Sequence, residues 1–328
     1  MKKILFASSV CLFLAGGGLK PVPAPASAQM PFGVAQTNNS IQASPAVPTQ
    51  VELLNAGAEP RQELRFKPTV NAKQTMTITT NMDVANSISG QPMPSVKIPE
   101  SVMKMEVLVN QVDANGDIHF QFSFTDADVV ANSTVPPELL NAMRSAIKQV
   151  VGLRGTSVSD NRGQIKSGSF VLPEGSDPIT RQLFEQMSNS LDQFSSPLPK
   201  EAVGIGAKWR VSSSLNLGLM KLTQTTNYEL VALQDNVATL NVSVEQQANS
   251  QQLTPPGVPS GMTLTLKSLN SQGQGQMVMP LDEAMPIRST MSLRSKNEMN
   301  VRQAGSGEET PIKTNLTMQM SLESQSQK

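Results

Sequence analysis

The chain has 328 residues, 26 basic and 26 acidic side chains, one histidine and one cysteine. That balance leaves no basic surplus to neutralise phosphates, which argues against nucleic acid as the main partner. A lone cysteine supplies neither a disulfide framework nor a thiolate metal site. Aromatic residues make up 4% and charged residues 16%, so Ser, Thr, Asn and Gln carry the polar surface, as in an exported β-rich protein.

Met1-Lys2-Lys3, the apolar run Ile4 to Leu19 and the small-residue triplet Ala26-Ser27-Ala28 read as a secretory signal peptide over residues 1–28. Cys11 lies inside the apolar run, without the small residue that a lipidated cysteine needs just before it. Cleavage after Ala28 removes three lysines and no acid, so the mature chain has a formal charge of −3 and no thiol. No later segment is apolar enough for a spanning helix. The expected location is the periplasm or the exterior.

Residues 29–61 hold Pro31, Pro45, Pro48 and Pro60 without a sustained period and read as a disordered linker. The remainder, 62–328, reads as one β-rich domain. Met76, Ile78, Thr80, Met82 and Val84 alternate as a first strand. Met103, Met105, Val107 and Val109 form one arm of a hairpin, and Ile118, Phe120, Phe122 and Phe124 form the other. Period two with one apolar face means half-buried strands. Asn115-Gly116 between them is the strongest short-range hairpin signal, because both residues tolerate positive φ. Leu139, Leu140, Met143, Ile147, Val150 and Val151 then change the period to that of an amphipathic helix, stopped at Gly152. Residues 155–170 return to strands around the turn 160–163. Ile179, Leu183, Met187, Leu191 and Phe194 predict a second amphipathic helix behind Pro178. From Lys208 to Leu322 the pattern is strand throughout, with separate strands expected at 263–269 and 275–279.

Residues 71–81 resemble 206–216, and 162–165 resemble 274–277, in the same order. This suggests a duplicated unit, repeat 1 over 62–199 and repeat 2 over 200–328. The expected fold is mainly β (α+β): a strongly curved antiparallel sheet or half-barrel of about ten strands, with two amphipathic helices across one face.

Candidate chemistry is sparse. Ser145-Ala-Ile-Lys148, Ser159-Asp-Asn161 and Lys166-Ser-Gly168 resemble the three motifs of serine β-lactamases, but here all lie within one short stretch and the last lacks the usual Thr. His119 falls on the polar face of the hairpin, where a solvated histidine is the plainer reading. Met103/Met105, Met277/Met279 and Met318/Met320 offer paired thioethers. Cu(I) would suit them, yet each pair continues an apolar face, where methionine is a soft gap-filler. Gly273-Gln-Gly275 is too short for a phosphate loop. Trp209 reads as a core anchor. No catalytic residue, metal or cofactor is expected.

Pro199-Lys-Glu-Ala-Val-Gly-Ile-Gly-Ala-Lys-Trp-Arg-Val211, with Thr226-Asn-Tyr-Glu-Leu-Val-Ala-Leu233 after it, resembles a group of exported bacterial β-rich proteins of unknown function. Their pattern is a Pro, a Gly-x-x-Trp strand start and a Tyr-x-Leu strand. That resemblance implies no activity. The expected architecture is also similar to that of periplasmic lipoprotein and lipid carriers, an analogy of shape.

The function expected from the sequence is non-enzymatic binding of an apolar or amphiphilic, lipid-like ligand between sheet and helices. Its wall would be Met103, Met105, Val107, Phe120, Phe122, Phe124, Leu139, Met143, Leu183 and Met187, acting through shape and desolvation. The alternative is a structural or protein-interaction module of the cell envelope in which the same residues form a dry core.

Overall fold

The computed structural model describes residues 40–42, 49–131, 135–172, 175, 197–217, 220–253, 261–303 and 308–327. Its strands are β1 (Ser40–Gln42), β2 (Gln50–Asn55), β3 (Lys73–Ile88), β4 (Gln91–Pro92), β5 (Val96–Val112), β6 (Ile118–Val129), β7 (Arg154–Ser159) and β8 (Ile165–Val171) in the first half. The second half adds β9 (Lys208–Leu217), β10 (Met220–Gln234), β11 (Val237–Ala248), β12 (Gln251–Leu253), β13 (Met262–Pro280), β14 (Arg288–Gln303) and β15 (Glu309–Gln327). Among the described residues there is one helix, α1 (Pro137–Lys148).

All fifteen strands join one antiparallel sheet in the order β1-β8-β7-β6-β5-β3-β15-β14-β13-β11-β10-β9-β2, with β4 on β3 and β12 on β13. Thirteen strands at about 4.8 Å spacing would place the outermost two roughly 58 Å apart if flat. Those outermost strands, β1 and β2, are close neighbours in sequence, and the chain from Gln42 to Gln50 reaches at most roughly 29 Å. The sheet therefore curls until its two edges approach, and it stops short of closing.

A strap, residues 56–72, runs across one end of the curl. Ala58 N–H donates to the Ile205 carbonyl at 2.9 Å, Phe66 N–H to Asn161 at 2.7 Å, Lys67 N–H to Leu281 at 2.6 Å and Asn71 N–H to Val109 at 2.8 Å. Each bond reaches a different part of the sheet, so the strap holds the curl from inside one chain. It carries Leu64, fully buried, into the cluster around Trp209, Tyr228, Leu230 and Leu240, and Phe66 packs against that cluster and the one around Val107 and Phe120.

Alternation decides the two faces. On β14, Thr290, Ser292, Arg294, Lys296 and Glu298 are exposed, while Met291, Leu293, Ser295, Asn297 and Met299 are buried or half-buried. Strands β15 and β3 continue the inward apolar row in register, while the outward Thr75, Thr77 and Thr79 of β3 are half-buried. The inner face is apolar and the outer face is polar, so the curl follows from burying one side of each strand.

Four expectations change. The strand count rises from about ten to fifteen, partly because β1 and β2 fall in the stretch that composition reads as a linker and cover the exposed edges of β8 and β9. The expected strands 263–269 and 275–279 form one strand, β13, because Gly273 and Gly275 sit within the ladder rather than ending it. The duplication is not carried by the topology: β13 pairs directly with β11, whereas β7 lies between β6 and β8. Lastly, α1 lies beside β6 instead of crossing the concave face. Strand β7 pairs with β6 only as far as Ser123, and Arg144 Nε donates to the freed Val129 carbonyl at 3.0 Å while pairing with Asp128. The helix thus covers a strand edge. The second predicted helix, 179–194, lies outside the described residues.

The Met/Phe hairpin forms between β5 and β6 as expected. At the Met/Phe hairpin Gly116 has positive φ and Asn115 does not. Gly116 N–H donates to Asp113, a type I turn closed by a glycine bulge. The turn at Asp160–Gly163 repeats it. The two-residue turn with both φ positive occurs instead at Asp235-Asn236, joining β10 to β11.

Candidate functional site

The concave face divides into closed and open parts. Near the strap, Trp209, Tyr228, Leu230, Ala238, Leu240 and Met279 form one buried cluster. Val107, Val109, Ile118, Phe120 and Met76 form another, and Leu153, Phe170 and Leu172 a third. At the opposite end Leu215, Leu222, Leu266, Leu269 and Met299 close a fourth. Between them, across β14, β15, β3 and β5, runs a floor of half-buried side chains: Met291, Leu293, Leu316, Met318, Met320, Met82, Ile78 and Met103. Cross-strand register brings them together, with Met291 opposite Met320, Leu293 opposite Met318, Met318 opposite Met82, and Ile78 opposite Met103. Inward positions of these four strands carry no charged side chain.

The predicted wall is placed unevenly. Met103 belongs to this floor. Val107 and Phe120 are 1% and 8% exposed and lie in packed core, with Met105 against them. Phe122 meets Phe170 edge-on at 5.6 Å and Phe124 at 6.5 Å, filling space beside Leu153. Leu139 is exposed on α1, and Met143 is half-buried there. Leu183 and Met187 lie outside the described residues. Residues missed by the sequence reading, Met82, Met291, Leu293 and Leu316, are alternating apolar positions like any other. Their signal is the register that aligns them, which a single strand does not contain.

Two open surface concavities border the same strands. One, about 320 Å³, is lined by Thr79, Asn81, Gln274, Gln319, Met291 and Met320 among others. The second, about 560 Å³, is lined by Met82, Asp83, Lys97, Glu100 and Val130 among others, and shares Asn81 and Gln319 with the first.

His119 lies on the polar face, as the alternation predicts, but it has a partner. Its Nε2 donates to Asp113 Oδ2 at 2.8 Å, with Gln111 bonded to the other carboxylate oxygen. The His119 bond first, and the Gln111 bond next, hold the Asp113 carboxyl below the usual aspartate range. The signal was six residues away, at the far side of the turn. Lys166 of the discarded β-lactamase-like triplet pairs with Asp117 at 2.6 Å, while Ser145 is exposed on α1 and Ser159 faces inward; the three do not converge. A lowered carboxylate pKa stabilises the fold above the unfolded value of about 3.9, and that contribution is lost as pH falls through the native value. Asp113→Asn should therefore flatten the acid limb of a stability-against-pH curve measured by urea denaturation from pH 6 to 2.5. An unchanged limb would remove this pair from the acid response.

Comparison with known proteins gives a partial family match and little else. Residues 184–286, less than half the chain, match a family described as Family of unknown function (DUF6263). No curated protein matches the sequence. Among solved structures the chain is similar to the COG4313 outer membrane channel from Pseudomonas putida F1, at 8% identity over 80% of this chain and 98% of that one, with a TM-score of 0.19. It is also similar to the outer membrane protease OmpT from Escherichia coli, at 10% identity over 81% and 99%, with a TM-score of 0.19. Scores that low carry no argument about this chain.

Proposed function

We propose that this is an exported, non-enzymatic protein that holds an apolar or amphiphilic chain on the concave face of its sheet. The observation that carries this reading is the charge-free floor of Met291, Leu293, Leu316, Met318, Met320, Met82, Ile78 and Met103, left half-buried between closed clusters. Methionine side chains adapt to ligands of varied shape. At roughly 0.8 kcal/mol per methylene withdrawn from water, a tail of about ten methylenes supplies about 8 kcal/mol before the costs of association. The outward positions of β14 and β15 are, apart from Pro311, Thr, Ser, Asn, Gln and charged residues. That is the reverse of a lipid-facing barrel, apolar outside and polar within, and supports a protein working in water.

The test is to purify the mature chain from its own host, confirm Gln29 as its first residue, and extract it with organic solvent for mass spectrometry. A co-purifying lipid, and saturable binding of a neutral fluorescent apolar probe weakened at least ten-fold by Met318→Asp, are the expected results. No lipid and no probe binding would leave a dry structural module. An intact signal peptide would remove the export step.

A further inference from the structure

The concave face is not uniformly apolar. A neutral polar strip crosses it beside the methionine floor. Gln246 Nε2 donates to Gln224 Oε1 at 2.8 Å, and Ser271 Oγ to Ser295 Oγ at 2.8 Å. One step further along β14, Asn297 stands opposite Thr314, whose Oγ1 donates to Asn86 Oδ1 at 2.8 Å. Ser271, Ser295 and Thr314 are 3%, 8% and 4% exposed. Ser295 and Asn297 follow Met291 and Leu293 on the same face of β14. A ligand tail lying on the floor therefore ends beside this strip.

Two features of the strip define what fits it. Its members are amides and hydroxyls, with no cation among them. A carboxylate or phosphate placed here would be a buried charge without a partner, which is heavily penalised. Meanwhile Asn297 Oδ1 is buried and has no hydrogen-bond partner. An unpaired buried acceptor is costly, and a donor that reaches it recovers that loss. The last torsion of an Asn side chain is soft, so the amide turns readily towards an incoming group. A hydroxyl suits both needs, since it donates to Asn297 and accepts from a neighbouring donor.

Resting on the proposed apolar site, we infer that its ligand is a neutral, hydroxyl-bearing amphiphile, such as a monoacylglycerol or long-chain alcohol, whose head group is held by Asn297 beside Ser295 and Thr314. Charged amphiphiles are excluded by the same strip.

The test compares three twelve-carbon probes on the mature protein at pH 8: monolaurin, methyl laurate and laurate. Each displaces a fluorescent apolar dye. Monolaurin should bind at least ten-fold more tightly than laurate. Asn297→Leu should bring monolaurin down to the affinity of methyl laurate and leave methyl laurate unchanged. Thr314→Val, a milder change, should move monolaurin in the same direction by a smaller factor, with circular dichroism confirming the fold of both variants. Equal affinity for laurate and monolaurin, or an equal loss for monolaurin and methyl laurate in both variants, would overturn the head-group assignment. Failure of every probe to displace the dye would instead overturn the apolar site itself.

Discussion

Trp209→Ala should remove about 3–5 kcal/mol of stability, the range seen for emptying a large buried aromatic site. Whole domains are stable by about 5–15 kcal/mol, so this is a large share. Trp209 is 1% exposed, and its ring stacks on Tyr228 at 5.4 Å and 14°. It stands in a cluster with Leu64 from the strap, with Leu198 and Val203 from the approach to β9, and with Leu230 and Leu240 from the neighbouring strands. One side chain therefore couples the strap to the sheet near an edge. Its Nε1 has no hydrogen-bond partner, so Trp209→Phe keeps most of the packing and discards an unpaired donor. The phenylalanine variant should lose less than half as much as the alanine variant. Urea denaturation followed by circular dichroism measures both, since the chain has a single tryptophan. Equal losses would mean that the indole ring is not what the cluster is built around.

Gly275→Ala should be the most damaging small change in the second half of the sheet. A Cβ built there falls 1.9 Å from the Thr290 carbonyl oxygen and 3.1 Å from Met291 Cα, both backbone atoms of β14. No rotamer relieves that contact, so β13 and β14 must move apart, at about 1–3 kcal/mol or more. Gly273, two residues earlier on the same face, provides the comparison. Its Cβ would first meet Leu293 Cδ1 at 2.9 Å, the end of a flexible side chain. Gly273→Ala should lower the melting temperature by less than Gly275→Ala, with each kcal/mol corresponding to about 2–4 °C in a chain of this size. Equal shifts would show that β13 relaxes as a unit. The physical role of these glycines is the close approach of β13 to β14.

Much of the architecture was legible locally. Period-two alternation located β3, β5, β6, β9, β10, β11, β14 and β15, because one face of each strand is buried and the other wet. It also put His119 outside and made Trp209 a core residue. It erred where the deciding partner was distant. Gly273-Gln-Gly275 reads locally as a break, and the ladders to β11 and β14 carry the strand through it. Gln50–Asn55 reads as linker by composition, and the open edge of β9 makes it a strand. The period of 139–151 correctly predicts a helix, ending at Lys148, but which surface that helix covers depends on where β7 stops pairing with β6.

The sequence by itself determined a mainly β chain with an apolar and a polar side to most of its strands. This follows from residue type and short-range period, which are local properties. Tertiary structure decided that fifteen strands form one curled sheet, that Phe120 and Val107 are closed core, and that Met82, Met291 and Met318 lie side by side with Ser295, Asn297 and Thr314 at their margin. Register across strands far apart in sequence sets those neighbours, and no stretch of the chain read alone contains it.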